Sequence, residues 1–313
     1  MSTWKLSIKP DSESGFNPFN LCKEKSLLGV GWSSAYKDEQ ASSLSEAKVL
    51  VKKHFDNWPY ALKKLLEEVK NGDHVWLHQQ GSYYLCRAKD EIVFGDVIDE
   101  KFIDYDLGHA RKADWVKVPE IFVSGVVQRG TIAPKMIQRI YISENEKKCH
   151  DVIFEKLIIN NNWLPDIDES LLTLKLGGMD KQDLFSIMTP DEIEDMVSSY
   201  LQDEGWILVK STCFRSKPMF EFSMVNRKSK TCYVQVKSGK YPDPLPPANY
   251  EEFTSLNKTI ILFSTNPSAY PGEAVKGVIC LSQEKIFTWL LENTWSMTEP
   301  LKLKLWMNLC EKG

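Results

Sequence analysis

Residues 219 to 237 constrain the fold of this chain more than any other stretch. Two apolar segments, Met219 to Val225 and Cys232 to Lys237, flank the polar run Asn226-Arg-Lys-Ser-Lys230. The pattern predicts a β-hairpin, because a short polar turn lets two alternating segments pair side by side. With the turn centred near Lys228, Glu221 and Gln235 are each seven positions away and face one another. Alternation along each strand then puts Glu221, Gln235 and Lys237 on one face, with Phe222, Val234 and Val236 on the other.

The surroundings of the hairpin are also readable. Thr189-Pro-Asp-Glu192 combines a threonine N-cap, a proline at the first helical position and a glutamate three residues after the cap. Ile193, Met196, Val197, Tyr200 and Leu201 follow at helical spacing, and Gly205 ends the helix. Glu194 falls at the edge of that apolar stripe and Asp195 points to solvent. Strands are predicted at Trp206 to Ser211, Lys258 to Ser264 and Val275 to Leu281, with a short helix near Tyr250 and another from Gln283 to Leu291. The order is α-β-β-β-α-β-β-α.

A carboxylate and an amide on adjacent strands, with a lysine two residues on, suit phosphodiester chemistry. Hydrolysis at neutral pH needs a hard cation held by oxygen ligands and a positive charge near the attacking water. Glu221, the Gln235 side-chain carbonyl and the Val236 peptide carbonyl supply oxygens, Lys237 supplies the charge, and Glu194 adds a further carboxylate. Net charge is -4, yet between Lys210 and Lys240 the chain carries Lys210, Arg215, Lys217, Arg227, Lys228, Lys230, Lys237 and Lys240 against the single acid Glu221. Arg227, Lys228, Lys230 and Lys240 are therefore candidates for phosphate contact.

Glu194, Glu221 and Tyr233-Val-Gln-Val-Lys-Ser-Gly239 together resemble the Mrr-like branch of the PD-(D/E)xK restriction endonuclease superfamily over roughly residues 189 to 290. That branch carries a glutamate in its first helix, an acidic residue on strand two and Q-x-K on strand three. The resemblance implies an α/β restriction-endonuclease-like domain that cleaves DNA with Mg²⁺, Mn²⁺ substituting, in restriction and defence against phage. Metal ligation falls to Glu221, Gln235 and Glu194, and catalysis to these with Lys237. The family usually has aspartate where this chain has Glu221, a longer arm that displaces a ligated metal by about one methylene.

The first 145 or so residues mix short alternating strands with one helical insertion. Strands are predicted at Trp4 to Ile8, Leu27 to Trp32, His74 to His78, Tyr83 to Ala88, Glu91 to Asp96 and Val118 to Val127. Helical spacing runs from Ser45 to Lys70 with a break at Pro59, and Asn71-Gly-Asp73 turns the chain into the next strand. This pattern suggests an α+β module built as a small β-barrel. Trp4-Lys-Leu-Ser-Ile8, Gly29-Val-Gly-Trp32, Asn71-Gly-Asp-His-Val-Trp76, Tyr83-Tyr-Leu85 and Asp114-Trp-Val-Lys-Val-Pro119 resemble the PUA-like group that includes EVE and YTH domains. The resemblance implies a sensor of modified bases, with a pocket drawn from Trp32, Trp76, Tyr83, Tyr84 and Trp115. The expected division is residues 1 to 145 for this module, 146 to 186 for a helical connector and 187 to 313 for the nuclease domain.

Other classes find no support. No apolar run approaches the ~20 residues of a membrane helix, and the alternating N-terminus lacks a signal-peptide core, so a cytoplasmic protein is expected. Seven scattered cysteines without a CxxC pair predict buried free thiols, and His54, His74, His78, His109 and His150 are too dispersed for an assigned role. No serine-histidine triad, Walker A loop or dinucleotide fingerprint stands out. The function expected is that of a metal-dependent DNA endonuclease, its DNA modified or plain. The alternative is a non-catalytic nucleic-acid-binding protein that retains the nuclease fold. Cutting both strands with one site per chain would favour a homodimer, whereas nicking needs none.

Overall fold

The computed structural model describes residues 1–9, 13, 15–132, 135–213, 219–239 and 242–309. The chain divides into two compact units, Met1–Pro165 and Asp166–Gly313. The architecture is mixed α and β, with one mixed sheet in each unit. Among the described residues no helix is long and apolar enough to cross a membrane.

In chain order the first unit holds β1 (Thr3–Leu6), α1 (Pro18–Glu24), β2 (Leu27–Val30), α2 (Leu44–Phe55), α3 (Tyr60–Leu62), β3 (His74–Gln79), β4 (Ser82–Phe94), β5 (His109–Val118), α4 (Gly125–Ile132), β6 (Ile137–Ile140) and α5 (Glu144–Ile159). The helix α3 runs on as a π-helical stretch, Lys63–Glu68. Strand order is β2-β5-β4-β3-β1-β6, with β1 and β3 parallel and every other pair antiparallel. The sheet is open: β2 and β6 are its edges, and the barrel expected from the sequence does not close. The π-helical stretch packs against both β5 and the edge strand β6.

Two strand expectations are corrected. The segments 83 to 88 and 91 to 96 form one strand, β4, which keeps its pairing with β5 through a register shift between Ala88 and Ile92. The strand expected over Val118 to Val127 is absent: β5 ends at Val118, and Gly125–Ile132 is helical. Pro119 has no N–H to continue the ladder, which stops pairing there.

The expected boundary at 145 falls inside α5, and the residues expected as a connector are α5 in the first unit and two helices in the second. Cys149, His150, Ile153, Phe154 and Leu157 of α5 are buried. Trp76 Nε1 donates to His150 Nδ1 at 3.4 Å, and the Arg87 guanidinium lies 4.2 Å from the Phe154 ring centroid. A fragment of residues 1 to 165 is therefore expected to fold, whereas one ending at 143 exposes the apolar face around Trp76. Circular dichroism and urea titration of both fragments check this, and equal cooperativity in the two would contradict it.

The second unit holds α6 (Glu169–Gly177), α7 (Lys181–Ile187), α8 (Pro190–Asp203), β7 (Trp206–Leu208), β8 (Phe222–Asn226), β9 (Thr231–Lys237), β10 (Lys258–Ser264), β11 (Val278–Cys280), α9 (Gln283–Glu292) and α10 (Glu299–Leu309). A 3-10 helix, Pro247–Phe253, stands where a short helix was expected near Tyr250. Strand order is β11-β10-β9-β8-β7; the first three of these are parallel to one another and the last two pair antiparallel. The capping box at Thr189 and Glu192 forms, and Ile193, Met196, Val197, Tyr200 and Leu201 are all buried. They pack with Phe222, Val234, Val236 and Phe263 into the main core of this unit. The opposite face of the sheet carries a smaller cluster around Leu245, Tyr250, Ile260 and Leu262.

Cys22, Cys86, Cys149 and Cys232 are buried and outside any disulfide, but Cys213 is half-buried and Cys280 exposed, because β11 is an edge strand; Cys310 lies outside the described residues.

Candidate functional site

The hairpin register is the one that the turn position predicts. Phe222 pairs with Val234 and Ser223 with Tyr233; one step further the ladder is irregular, because Glu221 N donates to Val234 O at 2.9 Å, and Glu221 meets Gln235 through its side chain. Asn226 fixes the turn: its Oδ1 accepts from Lys228 N at 3.0 Å and Lys230 N at 3.1 Å. Gln235 is 3% exposed, and its Nε2 donates to Glu221 Oε1 at 3.0 Å and to Val236 O at 3.2 Å. A buried carboxamide, a carboxylate and a peptide carbonyl therefore converge on one point. Lys237, half-buried, follows two positions along the same face and has no carboxylate partner among the described residues.

The convergence lies at the carboxyl edge of the parallel strands, where Lys237 ends β9 and its register partner Ser264 ends β10. Open α/β sheets bind ligands at that edge, because the strands stop there and their connections diverge. The sequence reading missed Thr265, whose N–H donates to Lys237 O at 3.0 Å and whose buried hydroxyl finds no partner among the described residues. A Ser-Thr-Asn run ending a buried strand was the available signal.

Glu194 does not join this convergence. It is half-buried on α8, which packs on the Phe222, Val234 and Val236 side of the sheet, while Gln235 points to the other. Asp195 is exposed, as expected. Arg227, Lys228 and Lys230 are exposed at the hairpin tip, and Lys240 lies outside the described residues. Lys230, the nearest of the three, is five positions of chain from Gln235, up to about 16 Å away, so the basic turn stands off from the site rather than surrounding it. Replacing all three by glutamine is expected to weaken binding to duplex DNA across sequences and to flatten its salt dependence, by about 0.9 in log-log slope for each phosphate no longer neutralised. An unchanged slope in a salt titration would return them to a merely solvated turn.

In the first unit the five aromatic residues expected to form one pocket do not meet. Tyr83 and Tyr84 are neighbours on β4 and so point to opposite faces. Tyr84 and Trp115 pack with Phe19, at centroid distances of 5.3 Å and 5.7 Å from its ring, while Trp76 is on the α5 side with His150. Trp32 alone of the five lines a cleft of about 430 Å³, with Ser33, Phe55, Ile103, Asp106 and Met136. Trp32 is left-handed at φ 63°, a conformation held from the next residue: Asp106 Oδ1 accepts from Ser33 N at 3.0 Å and Ser33 Oγ at 2.9 Å. A Cβ on Gly31 would come within 2.5 Å of Asp106 Oδ2, so a side chain there would displace the carboxylate that holds Ser33.

Beneath that cleft His109 is fully buried, with Nδ1 3.0 Å from Gly31 O and Nε2 2.7 Å from Tyr36 Oη. Burial pushes its pKa down to about 4, and burial together with His150 and Arg87 pushes that of His74 to about 3. Unfolded histidine titrates near ~6.5, so as pH falls from there toward 4 the unfolded chain takes up protons that the folded chain refuses. The first unit is expected to hold its stability above pH ~6.5 and to lose it below, by up to about 1.4 kcal/mol per pH unit for each histidine. Urea midpoints at pH 7.5, 6 and 5 check this, and His109→Gln should reduce the slope; flat stability down to pH 5 would contradict it.

Comparison of the chain with protein-family models, with curated proteins and with solved structures finds no match.

Proposed function

We propose that this chain is a divalent-cation-dependent DNA endonuclease of the PD-(D/E)xK type, acting on foreign DNA in the cytoplasm and reading base modification through a PUA-like first unit. The observation that carries the reading is the position of the Gln235 amide nitrogen, 3.0 Å from Glu221 Oε1 and 3.2 Å from Val236 O. A group of partial positive charge sits between two oxygens. Half a turn of the carboxamide, whose two ends have nearly the same shape, directs Oε1 to the same point. Carboxylate, amide and peptide oxygens then form a hard ligand set suited to Mg²⁺, with Mn²⁺ substituting.

A cation held by these oxygens would supply polarisation of the phosphoryl oxygen and activation of water. The chain's own part is positional. Glu221 and Gln235 fix the ligand oxygens on paired strands, and Lys237 presents a cation to the water or to the charge that develops on the phosphate. The Thr265 hydroxyl, buried and without a partner among the described residues, is available as a further donor beside Lys237. In the first unit the Trp32 cleft offers an aromatic wall on which a flat heterocycle can stack.

One observation favours a second reading. Among the described residues the convergence holds a single carboxylate, Glu221, with Glu194 on the helix that covers the other face of the sheet. A site of such low charge fits a nucleic-acid-binding protein that keeps the fold without turnover, Lys237 and the basic turn serving as a phosphate clamp. Incubating supercoiled plasmid, modified and unmodified, with and without Mg²⁺ separates the two. Metal-dependent nicking supports the nuclease; salt-sensitive binding without nicking on either plasmid supports the clamp.

A further inference from the structure

A second cleft, of about 400 Å³, opens on the face of the second sheet that carries Gln235. Phe220, Tyr233, Phe253 and Thr254 line it, with Glu252 and Lys258 among its polar residues. The Phe220 ring lies 5.3 Å from that of Tyr233 and 5.6 Å from that of Phe253, and all three side chains are only half-buried. Phe220 is tilted 36° from Tyr233 and stands edge-on to Phe253 at 82°; the three rings rest on the cluster around Leu245 and Tyr250 and leave partly exposed aromatic surface lining the cleft.

Its place along β9 gives the cleft a direction. Tyr233 is two residues from Gln235 on the same face, about 7 Å away. Lys258 pairs in register with Thr231, at the end of β9 next to the exposed Arg227, Lys228 and Lys230. Metal-ligand candidates, aromatic floor and cations thus follow one another along a single strand.

Resting on the nuclease reading of Glu221 and Gln235, we infer that this cleft takes an unpaired nucleobase of the DNA strand whose phosphate lies at that pair. The strand continues over Lys258 toward the basic turn. The spacing is that of neighbouring nucleotides: a phosphate at Gln235 leaves the adjacent base within reach of Tyr233. Bases inside a duplex are stacked and do not enter such a cleft, so the occupant is single-stranded or flipped out. The aromatic surface stacks on the face that every base has, which makes the subsite tolerant of sequence.

The test uses the full chain and fluorescence anisotropy in EDTA, so that binding is read without cleavage. The probes are a labelled single-stranded 12-nucleotide DNA, the same length of abasic deoxyribose phosphate, and the matching duplex. The intact single strand is expected to bind at least tenfold more tightly than the abasic strand. Phe253→Ala is expected to erase that difference and Phe253→Trp to keep it, because base stacking on an aromatic residue is worth roughly a five- to hundredfold change in affinity. Lys258→Gln, at an exposed position, should weaken intact and abasic strands alike and lower the salt slope by about 0.7. Equal binding of intact and abasic strands by the wild type would overturn the inference. So would an unchanged preference in Phe253→Ala, or tighter binding of the duplex than of the single strand. Absence of nicking in Mg²⁺ with base-dependent binding intact would count against the nuclease reading alone.

Discussion

Replacing Lys237 by alanine is expected to remove cleavage, by a hundredfold or more, while leaving the fold intact. The lysine is half-buried, makes no ion pair with any described carboxylate, and lies on the face opposite the main core, so its side chain supports little packing. Its proposed work is done on the water or the developing phosphoryl charge, where loss of one positioned charge typically costs about 10²- to 10³-fold in rate. Binding should fall only modestly, since the other cations still reach the phosphates. Glu221→Gln should act differently: it removes the carboxylate at the convergence, so apparent Mg²⁺ affinity falls and higher metal partly restores the rate. Nicking of supercoiled plasmid over a Mg²⁺ titration, with thermal melts of each variant, measures both. Wild-type cleavage by a folded Lys237→Ala protein would contradict the assignment.

The largest stability effect is expected in the first unit, at Arg111. This residue is 4% exposed, and its guanidinium donates to Leu65 O at 3.0 Å, Leu66 O at 3.0 Å and Lys89 O at 2.6 Å. Leu65 and Leu66 lie in the π-helical stretch, whose last carbonyls would otherwise have no partner. Two effects compete in Arg111→Met. Removing a buried cation relieves its desolvation, which already holds the guanidinium below its ordinary pKa. Against this, the Leu65 and Leu66 carbonyls lose their donors, at roughly 1–3 kcal/mol for each buried acceptor left unsatisfied, while the Lys89 carbonyl, on an exposed residue, can turn to water. The second effect should win by about 3 kcal/mol, because the methionine fills the volume but supplies no N–H. A urea midpoint unchanged from wild type would show that water or backbone movement satisfies the carbonyls.

Arg111 also explains what was hidden in the sequence. β5 carries polar residue types at buried positions, His109 and Arg111, so alternation of apolar and polar residues does not mark it as a strand. The same holds for Lys5, buried on β1 beside Trp76 in the register. By contrast, the second unit was legible from Thr189 to about Leu291, because its capping box, apolar stripe and hairpin alternation all point the same way, while α10 went unread. The Glu221 and Gln235 juxtaposition followed from the turn position alone. Depth across the sheet was not legible: periodicity placed Glu194 at the edge of its helix, but says nothing about which face of the sheet that helix covers. The aromatic pocket failed for a related reason, since five aromatic residues on three strands and a loop need a register to decide which of them share a face, and only Trp32 lines the cleft.

The central claim is that the oxygens of Glu221, Gln235 and Val236 hold a divalent cation. Mn²⁺ titrated into the full-length protein and followed by electron paramagnetic resonance tests this without any substrate. One Mn²⁺ per chain in the wild type, displaced by Mg²⁺ and lost or strongly weakened in a folded Glu221→Gln variant, is the result expected. The same stoichiometry and affinity in wild type and Glu221→Gln, or no bound Mn²⁺ in either, would contradict it.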